Sequence, residues 1–478
     1  MTATLSLSLP VLLSIPLTLA LLSLYPLLVL LSPHTRAALP SEYNYLYTDA
    51  SRAAPGANGK AARDEDADAD APPVRETGKL PHLADAASVQ LSVIIPAYNE
   101  ESRLPGMLTE TVEYLETLRA AHLPLASSEA QVKAAASRRA ASNGNGNGKA
   151  AAWNEDAHVS LADALQAPLT SYEILVVDDG SRDQTVDVAL RLGRRLGLAR
   201  QGKSGSEREL RVVKLEKNRG KGGAVRHGVL HSRGALILFA DADGATRFSD
   251  LGELCVELDR VRTPTGHAAV CGSRAHLVGS EAVVKRSFIR NFLMHSFHLF
   301  LSILLRPPSP SRLLLAWRRA RASASSQPLA QPEIRDTQCG FKLFSRPTAQ
   351  HIFPLAHLDR WIFDVELLLL AEMASERTLR AGAGAVKRAP VNALNKKAAT
   401  NGNANGKAAT SKTDADDAHE VLLRLPVPIA EIPVHWAEVS GSKIELLRDS
   451  IGMALDLLVL RANYALGRWT RPGVVAVE

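Results

Sequence analysis

At 478 residues the chain can bury a large core, and 46% hydrophobic with 22% charged residues is an ordinary globular balance. A formal net charge of +6 is small for that length, and the basic residues are scattered, which argues against a nucleic-acid partner. The three cysteines, Cys255, Cys271 and Cys339, show neither metal-ligand spacing nor an even disulfide framework; a reducing compartment fits the catalytic part.

In chain order, Leu5 to Leu31 is Leu-rich and carries no charge, and it exceeds the roughly 20 residues that cross a bilayer. A cleaved signal peptide would want a basic start and an apolar region of about 7–15 residues. Residues 1–33 therefore read as a transmembrane signal anchor. The nearest positive charges, Arg36, Arg52 and Lys60, follow it and orient the rest toward the cytosol. Residues 34–87, with the acidic run Asp64–Asp70, read as a disordered linker. Residues 88–440 form the catalytic domain. It is interrupted by low-complexity insertions near 122–168, 306–332 and 378–418, where the tracts Asn143–Ala150 and Asn401–Ala408 are near copies. Residues 441–478 hold a C-terminal amphipathic helix, Ile444–Tyr464.

Within the domain, strand and helix alternate. Strands are predicted at Leu91–Ile95, Tyr172–Val177, Arg211–Leu215 and Ala235–Ala240, with helices over 101–121 and 182–198 and from Gly223. Successive βα units predict an α/β fold with a mostly parallel sheet, and ligands of such sheets sit outside the carboxyl ends of the strands.

Chemistry concentrates at those ends. The first strand runs into Pro96-Ala97-Tyr98-Asn99-Glu100 and the second into Asp178-Asp179-Gly180-Ser181. Ser181 and Asp183 are explained equally well as a helix cap and a first-turn acid, but Asp178 has no such explanation. Asn218-Arg-Gly-Lys-Gly-Gly-Ala224 opens a helix and is either an anion site with Lys221 as a point charge or a tight turn. The fourth strand ends in Asp241-Ala242-Asp243, two carboxylates suited to a hard divalent cation shared with substrate phosphates.

In this order the segments Val93–Glu101, Val176–Ser181 and Asp241–Asp243 resemble the family-two glycosyltransferases, and Asp336-Thr-Gln-Cys-Gly-Phe-Lys342 resembles the hallmark of their polyprenyl-phosphate branch. The resemblance implies a GT-A nucleotide-sugar-binding fold with a mostly parallel sheet, plus the N-terminal transmembrane helix. It implies transfer of glucose from UDP-glucose to dolichyl phosphate with inversion, giving a glucose donor for lipid-linked oligosaccharide assembly in protein N-glycosylation. It places the chain in the endoplasmic reticulum membrane, single-pass, with the catalytic domain in the cytosol. Transfer of mannose or another sugar to the same lipid stays open, as does a catalytically silent scaffold of the same fold.

Carried over by residue, Pro96, Ala97, Tyr98, Glu100, Asp178, Asp179, Lys221, Asp241 and Ala242 bind the donor. Asp241 and Asp243 hold Mg²⁺ or Mn²⁺, and with Arg274 they form the catalytic set. Arg274, Lys285, Arg286, Arg290, Gln338 and Lys342 hold the acceptor phosphate. Mannosyl relatives place a Gln two residues beyond the Asp-x-Asp; here Ala245 stands there, which leaves a third protein ligand unassigned. Asp364 lies near the site as either a structural or a catalytic carboxylate, and Cys339 reads as packing. Residues 288–305 are either an interfacial helix against membrane lipid or a core helix.

Overall fold

The computed structural model describes residues 25–33, 35–49, 75–126, 165–200, 207–277, 331–332, 334–381, 422–439 and 446–476. Its strands are β1 (Asn44–Thr48), β2 (Arg75–Lys79), β3 (Val89–Ala97), β4 (Tyr172–Asp178), β5 (Arg208–Lys214), β6 (Gly234–Ala240), β7 (Ala269–Ser273), β8 (Phe341–Ser345) and β9 (Ile429–Pro433). Its helices are α1 (Leu104–Ala120), α2 (Thr185–Arg195), α3 (Lys221–Leu230), α4 (Leu251–Val261), α5 (Arg346–Ile352), α6 (Phe363–Arg380) and α7 (Leu446–Ala465).

One sheet runs β2-β1-β5-β4-β3-β6-β8-β7-β9. The central strands β5, β4, β3 and β6 are parallel, as the βα alternation requires. The flanks are antiparallel where β1 meets β5 and where β8 meets β6 and β7. The sheet is therefore mixed around a parallel centre, rather than mostly parallel throughout. Both of its faces are covered, so the central strands are apolar in both side-chain directions. Leu91, Val93 and Ile95 of β3 point into a core shared with α1, α2 and α4, whereas Ile94 points into one shared with α3, α5, α6 and α7.

Three expectations about boundaries are corrected. The stretch 34–87 is not a linker at its two ends. β1 pairs with β2 and β5, because Tyr45 and Leu46 have a sheet edge to bury against. Glu42, fully buried, accepts the Leu39 and Glu216 N–H groups at 2.8 and 2.9 Å and pairs with Arg219, fixing the segment to the start of α3. The acidic run itself lies outside the described residues. The first insertion is rooted more narrowly than 122–168, since Leu125 and Leu165 are both fully buried. Residues 378–380 belong to α6.

The C-terminal helix forms where expected, but it is not amphipathic in the ordinary sense. Leu457, Val459, Leu460 and Tyr464 enter the core, while Ile451, Leu455 and Leu458 face outward and exposed. Residues 25–31 are helical; most of the expected anchor, and the stretch 288–305, lie outside the described residues. Among the described residues no helix is long and apolar enough to cross a membrane.

Candidate active site

The order β5-β4-β3-β6 reverses its direction of winding between β3 and β6. A crevice opens at the carboxyl ends of strands at such a switch point. Pro96–Glu100 at the end of β3 and Asp241–Asp243 after β6 flank it, and Asp178 ends β4 beside them.

The loops after β3 and β4 are laced together. The Asn99 N–H donates to Ser181 Oγ, the Arg182 N–H to Asn99 Oδ1 and the Glu100 N–H to Thr185 Oγ1, each at 2.8 Å. The Glu101 N–H donates to Asp183 Oδ2 at 3.2 Å. Ser181 thus serves the neighbouring loop, whereas Asp183 bridges that loop and the start of α2, its Oδ1 accepting the Thr185 N–H at 3.0 Å; the residue before the helix, Gln184, makes no side-chain cap. Pro96 and Tyr98 are half-buried at this edge, whereas the side chains of Ala97 and Ala242 pack in the core.

The two aspartates after β4 have separate roles. Asp178 is fully buried; its Oδ1 accepts the Ser181 N–H at 3.3 Å, and its Oδ2 has no hydrogen-bond partner among the described residues. Burial raises its proton affinity against the lowering effect of Ser181. An open buried acceptor costs about 1–3 kcal/mol unless a donor meets it. Asp179 instead accepts the Arg219 N–H at 2.7 Å and the Gly220 N–H at 2.8 Å, while burial pushes its carboxyl up to about 7. It anchors the turn that leads into Lys221.

That turn is not a phosphate cradle. Asp179 already meets the Arg219 and Gly220 N–H groups, and the Gly223 N–H donates to the Asp359 carbonyl at 3.0 Å. A Cβ on Gly220, at φ 93°, would lie 2.6 Å from that carbonyl oxygen, and one on Gly222 would lie 2.5 Å from Phe363 Cβ. The glycines admit the segment 358–363, so the tight-turn alternative holds.

At the end of β6, Lys221 Nζ lies 2.7 Å from Asp241 Oδ1 and 3.0 Å from Oδ2. Burial opposes its charge, but Asp241 and Asp364 hold the ammonium above the ordinary lysine range. Asp243 Oδ1 accepts the Ala245 N–H at 3.0 Å. Burial and then the charge of Asp241 raise the Asp243 carboxyl. Two partly exposed carboxylates that repel one another suit a divalent cation, which relieves that repulsion. The turn makes room for them: a Cβ on Gly340 would lie 2.0 Å from Asp241 Oδ2. No group of three or more His, Cys, Asp or Glu that could hold a metal forms among the described residues.

Arg103 enters the site although the motifs did not single it out. Its guanidinium is held by both oxygens of Glu100 at 2.7 and 2.6 Å and reaches to 4.0 Å from Asp243 Oδ2. Glu100 is buried, and both of its carboxylate oxygens accept from Arg103. Trp361, whose ring centroid is 5.9 Å from Lys221 Nζ, was also missed.

On the other side of the site, Arg274 follows β7. Its Nε lies 2.7 Å from Asp336 Oδ2 and its Nη2 2.9 Å from Oδ1, a bidentate pair. Burial opposes the Asp336 charge, but the Arg274 hydrogen bonds and charge hold the carboxyl below its usual range. Asp336 and Gly340 belong to one short segment, and the Asp241 N–H donates to the Gly340 carbonyl at 3.1 Å, so that segment connects the Arg274 pair to the end of β6. Gln338 donates to Met453 Sδ of α7 at 3.5 Å.

Lys342 is corrected outright. It is fully buried on β8, with Nζ 2.6 Å from both Asp364 Oδ1 and the Cys339 carbonyl, and no acceptor phosphate reaches it. Asp364 is the buried partner of Lys342, and Cys339 is buried in the core as expected. Lys285, Arg286 and Arg290 lie outside the described residues.

Residues 152–287 match the family described as Glycosyl transferase family 2, which agrees with the GT-A-like α/β architecture. The chain is 34% identical over 416 residues to the dolichyl-phosphate beta-glucosyltransferase of Drosophila melanogaster, covering 87% of each chain. It is 33% identical over 391 residues to the Homo sapiens protein of the same description, covering 82% of this chain and 80% of the relative. Among solved structures, glucosyl-3-phosphoglycerate synthase from Mycobacterium tuberculosis with Mn²⁺, UDP-glucose and phosphoglyceric acid aligns over 78% of this chain and 80% of its own, at 13% identity and a TM-score of 0.33.

Proposed function

The chain belongs to the dolichyl-phosphate beta-glucosyltransferases and transfers glucose to dolichyl phosphate; from that premise we propose that the donor is UDP-glucose, that transfer inverts the anomeric centre, and that Mg²⁺ or Mn²⁺ assists it. The observation that supports this reading is that Lys221 and Arg103 approach Asp241 and Asp243 as one cation set, while Arg274, the second, is joined through Asp336 to the segment whose Gly340 carbonyl accepts the Asp241 N–H. One set neutralises a departing diphosphate and the other receives an anionic acceptor. A phosphate monoester is already ionised at neutral pH, so its oxygen attacks the anomeric carbon with no protein base to take a proton. The bond from that carbon to the UDP oxygen breaks as the new bond forms. An α-linked donor therefore yields a β-linked lipid phosphate.

Asp241 and Asp243 would hold the cation, which when bound supplies positive charge to the leaving diphosphate. Asp178 Oδ2 takes a donor from the nucleoside, and the Asp179 turn keeps Lys221 at Asp241. The product serves lipid-linked oligosaccharide assembly in N-glycosylation. We also propose a single-pass protein of the endoplasmic reticulum membrane facing the cytosol, supported by the uncharged run Leu5–Leu31 and by Arg36, Arg52 and Lys60 beyond it. Assay with dolichyl phosphate and a panel of nucleotide sugars tests the chemistry. UDP-glucose should give a β-linked product with a divalent cation present; preference for another nucleotide sugar, or full activity in excess chelator, would overturn the corresponding part.

A further inference from the structure

The helix α7 buries one face and still presents a second apolar face to solvent. Ile451, Leu455 and Leu458 are 64%, 43% and 47% exposed. Their spacing of four and three residues lines one stripe of the helix. Leu466 just beyond the helix extends the stripe at 60% exposed.

Beside α7 lies the helical turn 25–31. Asn463 Nδ2 and Arg468 Nη1 donate to Ser32 Oγ at 2.9 and 3.1 Å, and the Arg468 guanidinium sits 5.7 Å from the Tyr25 ring centroid. Tyr25, Leu27, Leu30 and Leu31 of that turn are all exposed, Leu30 at 79%. Two segments more than 400 positions apart in the chain thus meet at the C-terminal end of α7, and each carries exposed apolar side chains.

The occupant follows from what precedes Tyr25. The turn is the end of the uncharged run Leu5–Leu31, so the patch is continuous with a stretch suited to hydrocarbon. Arg448, Asp449, Asp456 and Arg461 prevent α7 from spanning a bilayer. An apolar outer stripe with Arg448 exposed in the first turn of the helix suits a helix lying in the interface, its cation among headgroups. We propose that α7 and residues 25–31 form a bilayer-docking surface, with α7 lying flat in the membrane interface. Met453, on α7, touches Gln338 of the acceptor side. Docking there brings the acceptor side of the cleft to the headgroup level, where a membrane lipid presents its phosphate. This last step rests on the lipid-acceptor reading; the docking surface does not.

The native cysteines are all buried, so a Leu455→Cys variant of the full chain offers one accessible thiol for a fluorophore. The protein is reconstituted in phosphatidylcholine–phosphatidylserine vesicles with or without lipids brominated along the acyl chain. A label at Glu253→Cys, exposed on α4 across the sheet, is the control. Brominated lipid should quench the label at 455 and leave the label at 253 unchanged. Equal quenching at the two positions, or none at 455, overturns the proposal, whether residues 278–330 or a second copy cover the patch instead. Glucosyl transfer to a short water-soluble prenyl phosphate is measured on the same samples. Transfer without quenching sinks the docking surface alone, whereas quenching without transfer sinks the acceptor reading and leaves the surface standing.

Discussion

The donor edge and the acceptor edge of the cleft are built in different ways. At the donor edge each chemical group lies within a few residues of the end of a parallel strand: Glu100 after β3, Asp178 closing β4, Asp241 and Asp243 after β6. The register, with Ala97 beside Asp178, aligns those ends automatically. At the acceptor edge Arg274 gains its shape from Asp336, 62 positions away, and Gln338 meets Met453, 115 positions away. A strand end is a local fact of sequence; a bidentate pair between distant loops is not. The donor edge should therefore respond to mutation as separate groups, and the acceptor edge as coupled pairs.

The largest effect is expected at the donor edge. Asp243→Asn should lower turnover more than ~100-fold with the fold intact, since metal charge stabilisation is worth several kcal/mol and about 1.4 kcal/mol is a factor of ten. Near-normal turnover by a folded variant at saturating Mg²⁺ or Mn²⁺ would remove the metal role and blur the contrast.

Next comes Lys342→Met. Stripping the cation from a buried pair leaves Asp364 uncompensated, at a cost of about 3–5 kcal/mol. Denaturant unfolding should show that loss, and the double variant Lys342→Met/Asp364→Leu should recover much of it. An unchanged midpoint with a raised acceptor KM would instead return Lys342 to the ligand set.

Arg274→Ala is expected to be milder and selective, weakening dolichyl-phosphate use by about 1.5–3 kcal/mol, the range of a charged hydrogen bond. UDP-glucose binding, followed by calorimetry, should persist. Coupling is the sharper test: Arg274→Ala/Asp336→Asn should regain stability but not acceptor use. If the double variant regains both, Arg274 only holds its loop.

The smallest effect concerns Asp456 of α7, whose carboxyl burial pushes up to about 6. A carboxyl raised in the folded state favours the fold at acid pH. Its contribution is full below the unfolded value of about 3.9 and is lost as pH rises through about 6. Asp456→Asn should therefore raise the Tm slightly at pH 8 and hardly at all at pH 4. Equal shifts at both pH values would mean that packing, not charge, sets the difference.

By itself the sequence determined the parallel centre of the sheet, because strands buried on both faces must be apolar at successive positions, as Leu175-Val176-Val177 and Leu236-Ile237-Leu238-Phe239 are. It also determined the paired acids at strand ends, because a polar group breaking an apolar run is visible without any partner. Its motif order pointed to the family that the relatives bear out. What the tertiary structure decided were the roles that depend on which group arrives opposite. Asp178 and Asp179 are neighbours of one type, yet one keeps an open oxygen and the other anchors the Lys221 turn. Lys342 carries the charge of a phosphate ligand but sits fully buried against Asp364. β1 lay within a stretch of linker composition until a free edge of β5 gave it something to pair with. Burial and partner are properties of the folded chain, set by contacts across tens to hundreds of positions, and residue type carries no record of them.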